Sequence, residues 1–179
     1  MPTITIRPDA DSTVGNFSNT PVHAVLSDSN DATFTTNLSQ NQNFIVTLDD
    51  VSLSGATFNS WAMTVRAKKG KGNASCSARL VSGSVLDVNT SVSVTSASFV
   101  DIAAGTASFP SGFSNSDANN LIVRLDTTAT QVSISEIFVT IDYTAASGYG
   151  QNVNTVAAAN IGKVNSVATA NIGKVNSVD

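Results

Sequence analysis

The stretch QVSISEIFVTIDY, residues 131–143, decides the fold. It is the longest and most β-branched run in the chain. Its apolar residues alternate with polar ones, the period-2 mark of a strand with one buried face. Length and β-branching make it a central strand, although Glu136 interrupts its apolar pattern. The same alternation recurs upstream. In PTITIR (2–7), Ile4 and Ile6 share one face and Thr3 and Thr5 the other. NFIVTL (43–48), WAMTVRA (61–67), SCSARLV (75–81), SVSVT (91–95) and NLIVRL (120–125) read the same way, and residues 22–26 and 32–36 are weaker strand candidates.

Polar clusters separate these segments: DSNDA (28–32), KKGKGN (68–73) and SGFSNSDANN (111–120). They are loop signals, because glycine allows positive φ and Asn or Asp closes Asx turns. No segment before residue 145 shows a sustained 3.6-residue period. Short strands with turns about every ten residues, and no crossover helices, predict an all-β fold: an antiparallel β-sandwich of the jelly-roll kind.

Composition agrees. Of 179 residues, 12% are charged and 41% hydrophobic, so Ser, Thr, Asn and Gly stand where charge is usual. This is too apolar for a disordered chain and suits Thr- and Ser-faced strands. A net charge of -4 argues against nucleic acid as a partner. A single cysteine, Cys76, allows no intramolecular disulfide. The N-terminal MPTITIRPDAD has no basic or apolar leader region, so no signal peptide is expected. No apolar run approaches the length of a membrane span, so no membrane partner is expected either.

The chain divides into a sandwich over residues 1–145, a small-residue linker over 146–152 and a repeat tail over 153–179. VAAANIGKVNS (156–166) is followed at once by VATANIGKVNS (167–177), and VNTV (153–156) is a fragment of a third copy. The apolar positions of the tail are Val156, Ile161, Val164, Val167, Ile172, Val175 and Val178. Gly162 and Gly173 each weaken a helix by about 1 kcal/mol relative to Ala. The tail therefore reads as short helical turns alternating with extended Val-Asn-Ser-Val pieces. Its few apolar residues suit docking on another surface, with repetition multiplying weak contacts.

Catalytic constellations are scarce. His23 is the only histidine and lies far in sequence from Cys76, so zinc is not expected; it reads as a strand histidine without a chemical role. Cys76 alternates onto one face with Ala78 and Leu80, as a small buried hydrophobe does. Asp9, Asp11, Asp28 and Asp31 present oxygens at spacings suited to calcium, but ordinary turn chemistry accounts for them and no metal is assigned. Arg66, Lys68, Lys69 and Lys71 form the one basic cluster, at a predicted hairpin tip. They are candidate contacts for an acidic partner, or simply a charged tip that blocks edge pairing. Trp61 opens a strand whose inward set is Trp61, Met63 and Val65, which makes it a core residue. No P-loop, GxSxG or HExxH motif occurs, and neither an enzyme nor a cofactor is expected.

The segments ITIRPDADSTVGNF, LSDSNDATFTTN, FIVTLDD and WAMTVRAKK together resemble a β-sandwich module of tailed-bacteriophage structural proteins. The ANIGKVNSV tail is similar to the ANI-x-K-V-N-G-V tails of virion proteins, with Ser166 and Ser177 where glycine is frequent. The resemblance implies a virion location and a non-enzymatic capsid decoration or cement protein. Its tail would dock on the major capsid protein or another virion protein, and its oligomer would be symmetric, a trimer by preference. The alternative it implies is a tail fibre, spike or knob domain that binds host surface polysaccharide.

Overall fold

In the computed structural model the alternation of the sequence becomes two facing sheets. The structure describes residues 1–53, 55–70, 74–128, 131–146, 163–164 and 167–168. In chain order the elements are β1 (Thr3–Ile6), β2 (Pro8–Val14), α1 (Val22–Ser27), β3 (Thr35–Thr36), β4 (Gln42–Leu48), β5 (Thr57–Lys69), β6 (Ala74–Ser82) and β7 (Leu86–Val94). There follow β8 (Val100–Ser108), α2 (Asn115–Ala118), β9 (Ile122–Thr127), β10 (Val132–Thr144), β11 (Lys163–Val164) and β12 (Val167–Ala168). The first sheet runs β1-β10-β5-β8, with β3 also paired to β10; the second runs β2-β4-β9-β6-β7. All these pairings are antiparallel, as expected of a jelly-roll sandwich.

The segment at 131–143 is central, as its composition predicts. β10 lies between β5 and the two short strands β1 and β3. Its register with β5 slips between Ile134 and Glu136, a β-bulge. The extra residue lets Ile134 and Ile137, three positions apart, both face the core, where each is fully buried. Facing them are Trp61, Met63, Val65 and Ala67 of β5, and across the gap Phe44, Val46, Ala78, Leu80, Val123 and Leu125 of the second sheet. Gly105 of β8 is required where it stands. Its φ is +131°, and a Cβ there would lie 2.8 Å from Thr90 Oγ1 and 3.3 Å from the Trp61 ring.

Several expectations are corrected. Residues 22–26 form α1, not a strand. Asp11 accepts hydrogen bonds from the amides of Val22 (2.8 Å) and His23 (2.7 Å), so the helix start is capped by a carboxylate distant in sequence. Val22 and Leu26, one turn apart, are both buried. His23 is thus helical, with Nδ1 3.0 Å from Asp11 Oδ1. Of the strand candidate at 32–36, only Thr35–Thr36 pairs. Asp9-Ala-Asp11 is part of the edge strand β2, where exposed Asp and an initial Pro are tolerated. The loop at 111–120 contains α2, closed by a reciprocal capping box between Ser114 and Asp117. β8, rich in small residues, was not expected.

The described part of the tail is one short ladder: Lys163 pairs with Ala168 and Val164 with Val167. Val156, Ile161, Ile172, Val175 and Val178 lie outside the described residues, as do Lys71 and most of the linker.

Candidate functional site

The two ends of β5 are finished differently. Near its start, Phe58, Phe109 and Phe113 pack together and are buried, with Phe109 and Phe113 stacked at 4.3 Å between ring centroids. Near its other end, Phe34 and Phe99 meet at 5.5 Å and both are only half-buried. Lys68 Nζ lies 4.4 Å from the Phe34 centroid and 4.3 Å from that of Phe99, a cation–π contact to both rings. Three segments converge here: the turn leading into β3, the end of β5 and the approach to β8.

This rim is braced by charge. Arg66 grips Asp31 with Nε (2.8 Å) and Nη2 (2.7 Å), and reaches Asp101 with Nη1 (2.8 Å). Ser135 Oγ also donates to Asp31 (2.8 Å). Within the turn, Asp28 accepts from the amide of Asn30 (3.0 Å) and from the Thr33 hydroxyl, while the Asn30 side chain accepts from the amide of Ala32 (3.0 Å). These are Asx turns, and they deliver Phe34 to the rim. Asn19 donates from Nδ2 to the Phe34 carbonyl. Beneath, Glu136 accepts from Arg7 Nη1 and from Ser29 Oγ (2.8 Å).

The Arg66 hydrogen bonds hold the Asp31 carboxyl below its ordinary value of 3.8; burial opposes this, and Ser135 with the charges of Arg66 and Lys68 adds to it. The folded-state value is depressed, so this grip is complete above 3.8 and is released as pH falls through the folded value. Backbone amide NMR signals of residues 28–33 are therefore expected to hold steady from neutral pH down to about 3.8 and to move below it, with the movement reduced in Asp31→Asn. A transition centred well above 3.8 would contradict the assignment.

The sequence candidates fall in different places. Arg66 is held by two carboxylates of its own chain, and Lys68 lies over two rings. Lys69 pairs through its backbone with Val132 and Ser96. Asp9 accepts from Thr47, Asp11 serves α1, Asp28 its own turn and Asp31 Arg66. Among the described residues, no three or more His, Cys, Asp or Glu side chains gather to hold a metal. Cys76 is buried, and burial pushes its thiol up to about 12, a packing residue rather than a nucleophile. Phe34 and Phe99 escaped the sequence reading. The signal was there: each is a lone phenylalanine directly after a run of small or polar residues, at the mouth of a strand.

No family model matches the chain, and no curated protein does. Solved structures do. The C-terminal family 6 carbohydrate-binding module of LamC, a marine laminarinase from Zobellia galactanivorans, superposes with a TM-score of 0.51 at 11% identity, over 78% of this chain and 99% of that one. The chain shares that module's fold. A family 35 module from Cellvibrio japonicus Abf62 gives 0.49 at 14% identity, over 81% and 98%. The module CBM6cm-2 from Cellvibrio mixtus lichenase 5A, solved with cellotriose, gives 0.46 at 11% identity, over 78% and 95%.

Proposed function

We propose that the chain is a non-catalytic carbohydrate-binding domain whose ligand seats on the Phe34–Phe99 rim. The observation that carries this is a pair of half-buried phenyl rings, capped by an ammonium, on a rigidly braced edge of a sandwich. A pyranose has an apolar C–H face and hydroxyl edges; aromatic rings take the first and polar groups the second. The fold shared with the laminarinase module supports the reading.

A glycan array followed by calorimetry tests it. Wild-type protein is expected to select at least one glycan, and Phe99→Ala to weaken that binding at least about tenfold, or ~1.4 kcal/mol. The variant should fold normally, since Phe99 lies at the surface edge of the core. Binding that survives Phe99→Ala unchanged places the ligand elsewhere.

The repeats and the resemblance to phage proteins favour a setting: a virion fibre, spike or knob, attached through the tail to the major capsid protein or another virion protein, as a trimer or similar cluster. A decoration protein would use the same tail but leave the rim without a ligand, so it is the second reading. Glycan binding by virions that an excess of the isolated protein inhibits would support the first.

A further inference from the structure

We infer that the rim selects an uncharged sugar, and that Lys68 and Asp101 supply the selectivity by holding two neighbouring hydroxyls between an ammonium and a carboxylate. The inference rests on the reading of Phe34 and Phe99 as the glycan seat; it adds the class of sugar and the two polar groups that read it. Arg66 pairs with Asp101 across β5 and β8, and Ala67 with Val100. Val65 and Ala67 are fully buried, so the alternation of the strand turns Arg66 and Lys68 outward. Their contacts on the neighbouring segment, Asp101 for Arg66 and Phe99 for Lys68, are two residues apart. Rings, ammonium and carboxylate therefore share one end of the outer face of the first sheet.

Lys68 differs from the arginines, each of which holds a carboxylate. Even Arg7, which lies over the Phe138 ring, bonds Glu136. Among the described residues, the Lys68 ammonium donates to no oxygen; its contacts are the two rings. An ammonium has three donors and no acceptor. A hydrogen bond from a charged donor outweighs an exposed cation–π contact, so a sugar hydroxyl competes well for it. Asp101 is the matching acceptor. One of its oxygens accepts from Arg66 Nη1 (2.8 Å). The other accepts from nothing among the described residues, on a side chain 59% exposed. Arg66 is itself fixed by Asp31, so it holds the Asp101 carboxylate in place.

The charges of the rim select against an ionised sugar. Within its contacts, Arg66 and Lys68 are matched by Asp31 and Asp101, and the charge of Lys68 also acts on Asp31. An anion therefore finds no excess of positive charge there, and a cation no excess of negative. A hydroxyl both donates and accepts. Of two neighbouring hydroxyls on a pyranose, one accepts from Lys68 and the other donates to Asp101, while the C–H face of the sugar lies against the rings. A uronate carboxylate in the same place only accepts, and it meets the unused oxygen of Asp101 as a like charge.

Calorimetry on the full chain tests this with four uncharged trisaccharides (cellotriose, laminaritriose, xylotriose and mannotriose) and with acidic trigalacturonate. At least one uncharged sugar is expected to bind at least about tenfold more tightly than trigalacturonate. Its affinity should change less than about twofold between low and physiological salt. Lys68→Met keeps a side chain packed on the rings but removes the donors, and it should weaken that sugar at least about tenfold. Lys68→Arg keeps donors and should retain most of the binding. Asp101→Ala leaves Arg66 on Asp31 and should also weaken the sugar, by at least about fivefold. Tighter binding of trigalacturonate overturns the inference, as does a Lys68→Met or Asp101→Ala variant that binds as well as wild type. If none of the four uncharged sugars binds, the inference fails too. The rim reading is judged separately, by whether the ligand found on the glycan array depends on Phe99.

Discussion

Replacing Trp61 by alanine is expected to cost about 3–5 kcal/mol, the range for removing a large aromatic side chain from a packed core. Trp61 is 1% exposed and is the bulkiest fully buried side chain. It fills the space that Gly105 leaves free. Trp61→Phe should behave differently. Among the described residues, the indole Nε1 is buried without a hydrogen-bond partner, and a buried unpaired donor costs roughly 1–3 kcal/mol. Phenylalanine loses volume but also removes that donor, so the net change should stay within about 1 kcal/mol. Urea unfolding followed by circular dichroism measures both variants; fluorescence cannot, because Trp61 is the only tryptophan. A Trp61→Phe variant as unstable as Trp61→Ala would mean that the donor contributes a bond after all.

Removing the Glu136 carboxylate is the second large effect. Glu136 is 8% exposed on the outer face of the first sheet, beneath the turn at 28–33. Its alanine variant leaves Arg7 without its carboxylate and Ser29 without its acceptor. A fully buried broken pair costs about 3–5 kcal/mol. The Arg7 side chain is 31% exposed, so water recovers part of this and ~2–3 kcal/mol is expected. Glu136→Gln keeps an acceptor oxygen and should cost about half as much. The loss should also reach the rim. Ser29 and Asp31 anchor the turn that carries Phe34, so Glu136→Ala should weaken glycan binding while Glu136→Gln largely preserves it. Equal stability of the two variants would remove the charge from the argument.

The parts of the fold that could be read in advance are those where one residue's neighbours in sequence decide its environment. Alternation through β5 places Trp61, Met63 and Val65 inward, and the same period buries Cys76 with Ala78 and Leu80. What escaped depends on groups distant along the chain. α1 looked like a strand because its cap, Asp11, belongs to β2. β2 looked like a loop because an edge strand need not hide its carboxylates. Glu136 looked like a flaw because the bulge that accommodates it is a property of two paired strands, not of one.

The sequence by itself determined a two-sheet antiparallel sandwich with a repeat tail, since hydrophobic alternation is a local record of burial. The tertiary structure alone decided which side chains from separate segments meet. Phe34, Lys68 and Phe99 come from three separate segments, so their meeting follows from sheet order and register. Convergence of that kind has no period, and only the folded chain brings it about.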